Sequence, residues 1–523
     1  MVPDYSFMKN KLKDISDILN HIEKKNFTDW DSLVQGDASM FFGWIDVPVP
    51  FRTRIHELDS VLAQINKHYY SNIVLIGFGG SILGARAIIE TMGLKSEVTV
   101  RFVDTNHPNV LMNVLQDDFK SNSLYIFCSK SGTTMETWAV YRYFLQEIKK
   151  LSSDENVREK FIAITDSGSP LELEFLRNGF PNIIVGEKNV GGRFSAITPF
   201  GLFPAMLAGI DVTEIITSYE LMSLNNKLGL ISNHPSYKLT EFLVKALIDG
   251  RDKLRLVICE EFKYLTGWIE QLIAESLGKN SLGIIPYVVD ETVFSKGQDK
   301  AIYVLKYGNA NSSSYINQNG IPVYETYVKN LPSIGGEMYK WQVSVATLGV
   351  MLSVNPFDQP SVERSKYETS LVLSTYPNVE PFMFNSINEF KNMVCQIEQG
   401  NYIAVLSFLD PTEEHLSLLS VLQHNLYIQT GIPTIIGIGP NYLHSIGQLH
   451  KDGADSGVFL HLVSGEHYKD VQVPGENYGF GYLMKSQAYG DFLTLQSLGK
   501  TTVILDLGVD ESKGLLGLIE ILK

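Results

Sequence analysis

The chain has 523 residues, 44% of them apolar and 19% charged, with a net charge of −15. That length exceeds one ordinary domain, and the composition is that of a folded globular protein and not of a disordered one. The acidic balance, without any Lys/Arg block, argues against nucleic acid and anionic membranes as partners; an anionic ligand would need a local positive site.

The N-terminal MVPDYSFMKNKLKDISDIL places charges where a signal peptide needs an apolar core, and the most apolar stretches, 200–210 and 343–354, are too short to span a bilayer. Cys128, Cys259 and Cys395 lie far apart with no Cys/His clustering, so neither a disulfide framework nor a zinc site is expected. These features predict a cytoplasmic protein without a metal.

Residues 1–50 read as an amphipathic helical lead-in. From residue 51, short apolar runs at 73–76, 98–103, 124–128, 161–165 and 183–185 alternate with helical stretches, each run ending in Gly, Ser, Asp or Asn. Continuously apolar strands separated by helices predict a parallel sheet covered on both faces. After helical sequence around 211–250 the pattern recurs at 254–259, 284–289 and 301–307, then in tail strands at 402–408, 434–438 and 501–507. The expectation is an α/β protein with a first domain over 51–230, a second over 231–400, and a C-terminal extension over 401–523 that completes the second.

Six segments carry candidate chemistry. In VLIGFGGSILGARA a strand runs through a glycine turn at Gly77, Gly79 and Gly80 into a helix opened by Ser81; the spacing fits a dinucleotide fingerprint poorly, and a purely structural turn is the competing reading. In LYIFCSKSGTTMET, Ser129, Lys130, Ser131, Gly132, Thr133 and Thr134 sit between a strand and a helix. Hydroxyls and backbone N–H groups at a helix N-terminus form an anion cradle, and the Walker spacing is missing. In NVGGRFS, two glycines let Arg193 project into a cleft to meet an oxyanion, unless it is held in a structural ion pair.

In WIEQLIAESLGK, Glu275 follows an apolar helical pattern and precedes Gly278; partial desolvation there would raise its pKa and suit a general base, while an exposed glutamate is the bland alternative. In NPFDQPSVERSKYET, Gln359 and Lys366 stand two helical turns apart and can face one pocket, although a solvated charged face reads equally well. The tail segment YLHSIGQLHKDGADSGVFL holds His444, Gln448, His450 and Lys451, with histidine spacing unsuited to metal ligation on one helix face.

Together and in this order, GFGGSILG, SKSGTTMET, VGGRFS, AESLGK and FDQPSVERSK resemble the phosphoglucose isomerase family over about residues 73–366. NPFDQP and LHSIGQLHKDG are most similar to the isomerase portion of bifunctional transaldolase–phosphoglucose isomerases. The resemblance implies two sugar-isomerase (SIS) domains, each with a flavodoxin-like parallel sheet, and cofactor-free interconversion of glucose 6-phosphate and fructose 6-phosphate. It also implies a homodimer. It assigns the sugar phosphate to Ser129, Ser131, Thr134 and the backbone of Lys130, with Gly80 and Ser81 lining the substrate. Arg193 would stabilise a cis-enediolate and Glu275 would carry the proton between C1 and C2. Gln359 and Lys366 would meet the substrate end opposite the base, with Lys366 helping to open the ring.

Phe78, Phe200 and Ser361 depart from the residues usual in the family's motifs. The ring-opening histidine, usually between the glutamate and lysine motifs, has no counterpart in 276–366, and the pattern LHS-x-GQ appears instead around His444. His444 is therefore the expected ring-opening acid, reaching the site from a partner subunit in the family's usual arrangement. An isomerase of mannose 6-phosphate or of an amino sugar, and a non-catalytic sugar-phosphate-binding regulator, are the rival readings.

Overall fold

The computed structural model describes residues 3–26, 37–46, 48–65, 70–94, 97–116, 122–150, 154–228, 230–288, 302–308, 321–375, 382–465 and 470–522. Three parallel sheets organise them. The first contains β1 (Asn72–Gly77), β2 (Thr99–Val103), β3 (Ser123–Cys128), β4 (Phe161–Thr165) and β5 (Asn182–Val185) in the order β2-β1-β3-β4-β5. The second contains β6 (Lys253–Ile258), β7 (Ile285–Val288), β8 (Ile302–Gly308) and β9 (Val323–Tyr327), ordered β7-β6-β8-β9. The third contains β10 (Tyr402–Ser407), β11 (Thr434–Ile438), β12 (Gly457–Val463) and β13 (Thr501–Asp506), ordered β11-β10-β12-β13.

The α/β class with flavodoxin-like parallel sheets is as expected: all three sheets share the order in which the second strand precedes the first and the chain then reverses direction. The number of sheets is not as expected. The strands after residue 401 hydrogen-bond with one another and with no strand of β6–β9 among the described residues, so they build a third sheet instead of completing the second.

Strand composition explains why these sheets are covered on both faces. In β1, Ile73 and Leu75 join one apolar core while Val74 and Ile76 join another, and β3 divides in the same way between Leu124, Ile126 and Cys128 on one side and Tyr125 and Phe127 on the other. β10 repeats this between Tyr402, Ala404 and Leu406 and the opposed Ile403 and Val405. Alternate residues of a strand point to opposite faces, so a strand with no polar position is stable only between two layers. The helix Ile334–Leu352 is buried along its whole length, its charged Glu337 and Lys340 paired with each other. No described helix is long and apolar enough to cross a membrane.

Candidate active site

The loops after β1 and β3 stand side by side at the carboxyl ends of the first sheet, where the strand order reverses and a crevice opens. A cavity of ≈ 430 Å³ lies there. All three sheets' regions contribute to its wall: Gly80, Ser81, Lys130, Ser131, Thr134 and Arg193 from the first, Glu275 from the second, and His444 from the third, with Gln359 and Lys366 from the segment between.

The hydroxyl loop is preformed. Ser131 Oγ and Thr133 Oγ1 lie 2.8 Å apart, Ser129 Oγ and Thr134 Oγ1 3.0 Å apart, and Trp138 Nε1 donates to the Gly132 carbonyl at 2.8 Å. Gly132 takes φ +66°, and the helix Met135–Lys149 follows at once, aiming its unpaired N–H groups at the loop. The Lys130 ammonium is committed elsewhere, to both oxygens of Asp166 at 2.7 Å and to the Glu187 carbonyl at 2.7 Å. Its backbone N–H donates to Ser81 Oγ at 3.3 Å. Ser129 is buried and braces Thr134 without itself lining the cavity.

Glu275 sits near the end of the helix Leu265–Leu277 and is buried, not exposed. Its Oε2 is 3.3 Å from Arg193 Nε and accepts from Gln271 Nε2 at 3.0 Å. Burial is the larger influence on both charges: it raises the Glu275 carboxyl above its ordinary value against the pull of Arg193, and it lowers the Arg193 guanidinium. Nη2 of Arg193 donates to the carbonyls of Phe357 and Asp358 at 3.2 and 2.9 Å and to Gln359 Oε1 at 3.2 Å. Its Nη1 is buried with no hydrogen-bond partner among the described residues. Arg193 is therefore held in an ion pair on one edge, with the N–H groups of Nη1 left over.

His444 ends a short helical turn, Asn441–His444, after β11. Its Nε2 lies 2.9 Å from Glu136 Oε1, and Gln487 Nε2 donates to the same oxygen at 2.5 Å. Burial pushes the Glu136 carboxyl up, but His444 and the surrounding hydrogen bonds outweigh it and hold the group below its ordinary value. The histidine shares the cavity with Glu275 of its own chain, delivered there by the segment after β11 of the third sheet. His450 faces away, its Nδ1 3.0 Å from the Tyr402 hydroxyl, and burial lowers its pKa to about 3.

Gln359 and Lys366 both reach the cavity wall, but Lys366 is half exposed and its Nζ pairs with Glu363 at 2.7 Å. The three unusual residues each shape a contact. Phe78 places its ring 5.6 Å from the His444 ring, Phe200 lies 5.6 Å under the Lys130 ammonium, and Ser361 donates its backbone N–H to Gln448 Oε1 at 3.0 Å.

Glu136, Gln271 and Gln487 also line the cavity and carry no role in the sequence reading. Two of them have local signals: Gln271 is four residues before Glu275 on one helix face, and Glu136 is an acid in the first turn behind the hydroxyl loop. Gln487 has none.

Residues 45–280 match the model of the phosphoglucose isomerase family. The glucose-6-phosphate isomerase of Leptospira interrogans is 27% identical over 390 residues, 64% of this chain and 86% of that one. That of Methanocaldococcus jannaschii is 28% identical over 340 residues, 57% of this chain and 83% of that one. Among solved structures, a hypothetical protein from Thermus thermophilus superposes with a TM-score of 0.59 at 23% identity, over 71% of this chain and 99% of that one. A glucose-6-phosphate isomerase from Chlamydia trachomatis gives 0.51 at 19% identity, over 63% and 74%. These two likenesses speak to the fold. The match to the phosphoglucose isomerase family thus covers residues 45–280, the stretch that holds the hydroxyl loop, Arg193 and Glu275.

Proposed function

We propose that the chain is a glucose-6-phosphate isomerase, interconverting glucose 6-phosphate and fructose 6-phosphate by ring opening and proton transfer through a cis-enediolate. The observation that carries the reading is the pairing of Glu275, buried and with a raised pKa, with a guanidinium whose Nη1 has no protein partner. A carboxylate made more basic by burial is suited to take a proton from carbon, and an unsatisfied buried cationic donor is suited to the oxyanion that results.

The residues then divide the reaction. The sugar phosphate binds the hydroxyl loop at Ser131 and Thr134, with Ser129 and the Lys130 backbone bracing Thr134 and Ser81 behind them, while Gly80 and Ser81 line the sugar. His444, partnered by Glu136, gives a proton to the ring oxygen as the C1–O5 bond breaks, and the hydroxyl proton on O1 leaves to form the aldehyde, with Lys366 and Gln359 at that end. Glu275 removes the proton on C2, and the electron pair moves to form the enediolate, whose negative oxygen faces Arg193. The proton on O2 passes to O1 and the protonated Glu275 returns its proton to C1, giving the ketose. Only protons move and the sugar keeps its electrons, so the reaction itself calls for no cofactor or metal.

Sequence resemblance and the curated relatives support a place in glycolysis and gluconeogenesis. Resemblance alone supports a homodimer and likeness to the isomerase portion of the bifunctional enzymes, while the scattered cysteines favour a cytoplasmic protein and the strand pattern a domain division near residues 230 and 400. A coupled assay with fructose 6-phosphate, and with mannose 6-phosphate and glucosamine 6-phosphate as competitors, tests the function. Turnover of fructose 6-phosphate to glucose 6-phosphate is expected. Turnover of another aldose alone moves the assignment to that sugar; binding without turnover of any reduces the chain to a sugar-phosphate-binding protein.

A further inference from the structure

Asp491, on the helix Phe480–Ser497, is fully buried and lies outside the cavity lining, yet its two oxygens collect four partners from four different elements. Oδ1 is 2.7 Å from Lys451 Nζ and accepts from Ser365 Oγ at 3.2 Å; Oδ2 accepts from the Tyr442 hydroxyl at 2.8 Å and lies 3.2 Å from His461 Nε2. Three of these partners belong to segments that build the cavity. Tyr442 is in the short turn that ends at His444, Ser365 immediately precedes Lys366 on the helix Val362–Ser374, and Lys451 is itself a cavity residue. The fourth, His461, lies on β12 in the core of the third sheet. The helices of Asp491 and Ser365 are in close contact: a Cβ on the neighbouring Gly490 would come 2.6 Å from Thr369 Oγ1.

A buried carboxylate is costly unless each lone pair is used, and once used it fixes its partners in one geometry. Here burial is overcome by Lys451 and His461, which keep the group ionised. We propose that Asp491 is a positioning residue: it locks the turn carrying His444 and the helix carrying Lys366 into one register, setting the ring-opening end of the cavity. It touches neither Glu275 nor Arg193, so the proton-transfer end stands without it. The inference rests on the isomerase reading for its kinetic consequence, and on geometry alone for the placement of His444.

Tyr442→Phe and Asp491→Asn test it, followed by thermal unfolding, by kcat and KM with fructose 6-phosphate, and by the imidazole nitrogen resonances of His444 in ligand-free protein. Tyr442→Phe should melt close to the parent, lose about tenfold in kcat with KM changed less than about twofold, and shift the His444 resonances. Asp491→Asn should do the same more strongly; if it fails to fold, Tyr442→Phe decides. A folded Tyr442→Phe with unmoved His444 resonances, or with the parent's kcat, overturns the proposal. So does a parallel loss in kcat and phosphate-ligand affinity, which general loosening would cause. If the parent protein turns over no sugar phosphate, the isomerase reading fails, while the resonances still decide whether Asp491 places His444.

Discussion

Glu275 and His444 share one side chain: Gln271 Nε2 donates to Glu275 Oε2 at 3.0 Å and to the His444 carbonyl at 3.0 Å. Glu275, on the helix that follows the second sheet's first strand, and the histidine beside the third sheet are thereby held in fixed relation, although no strand of one sheet pairs with a strand of the other among the described residues. On the opposite side, Gly79 closes on the same turn, its backbone N–H donating to Asn441 Oδ1 at 2.9 Å.

Glu275→Gln should reduce kcat by about three orders of magnitude, since the amide cannot accept the carbon-bound proton, while affinity for inorganic phosphate or a sugar phosphate stays within a few-fold. Kinetics paired with calorimetry checks this. An unchanged kcat removes Glu275 as the base.

His444→Ala should slow turnover of ring-closed glucose 6-phosphate more than that of open-chain substrate. Because Glu136 acts through the histidine, Glu136→Gln combined with His444→Ala should be little worse than His444→Ala alone. A double-mutant cycle on kcat measures the coupling, and additive losses would mean that the two act separately.

The acid limb of the kcat/KM profile should lie above the ordinary carboxylate value of 4.5, because burial raises Glu275 and only the ionised form accepts a proton. Activity is therefore lost as pH falls through this raised pKa. Arg193 pulls the value down, so Arg193→Gln should move the limb to still higher pH as well as lowering kcat. A limb that moves the other way contradicts the assigned electrostatics.

Mixing Glu275→Gln and His444→Ala proteins under conditions of subunit exchange should restore no activity, because each chain's cavity is built from its own Glu275 and His444. Recovery to a sizeable fraction of the parent rate would show that the histidine crosses between subunits.

Gly79→Ala should impair both stability and turnover. Gly79 has φ +54°, which costs an L-residue about 1–2 kcal/mol, and its new Cβ would lie 2.1 Å from the His444 carbonyl oxygen. Gly93→Ala is the control: its φ is +69° but nothing lies within 4 Å, so only the conformational cost applies and kcat should hold. Melting temperature and kcat separate the two effects.

The first sheet was legible because its strands are unbroken apolar runs, and such runs between turn residues are a local signal. The hydroxyl loop, Arg193, Glu275, Gln359 and Lys366 were likewise visible as short motifs, since their chemistry is written in adjacent residues. Two strands escaped that reading. β9, Val323–Tyr327, is only half buried and interleaves polar with aromatic residues, and β12, Gly457–Val463, has His461 in the middle of its apolar run. His461 is tolerated there because Asp491 receives it at 3.2 Å, a partner thirty residues away that no local pattern announces.

What the sequence determined by itself was therefore the α/β class, the hydroxyl cradle and the segments that hold Glu275 and Arg193, all set by neighbours in the chain. Only the tertiary structure decided that residues 402–506 form a sheet of their own and that His444 meets Glu136 and Glu275 inside one chain. Those outcomes rest on pairing and burial between segments distant in the chain, where the free energy of packing, and not local propensity, chooses the partner.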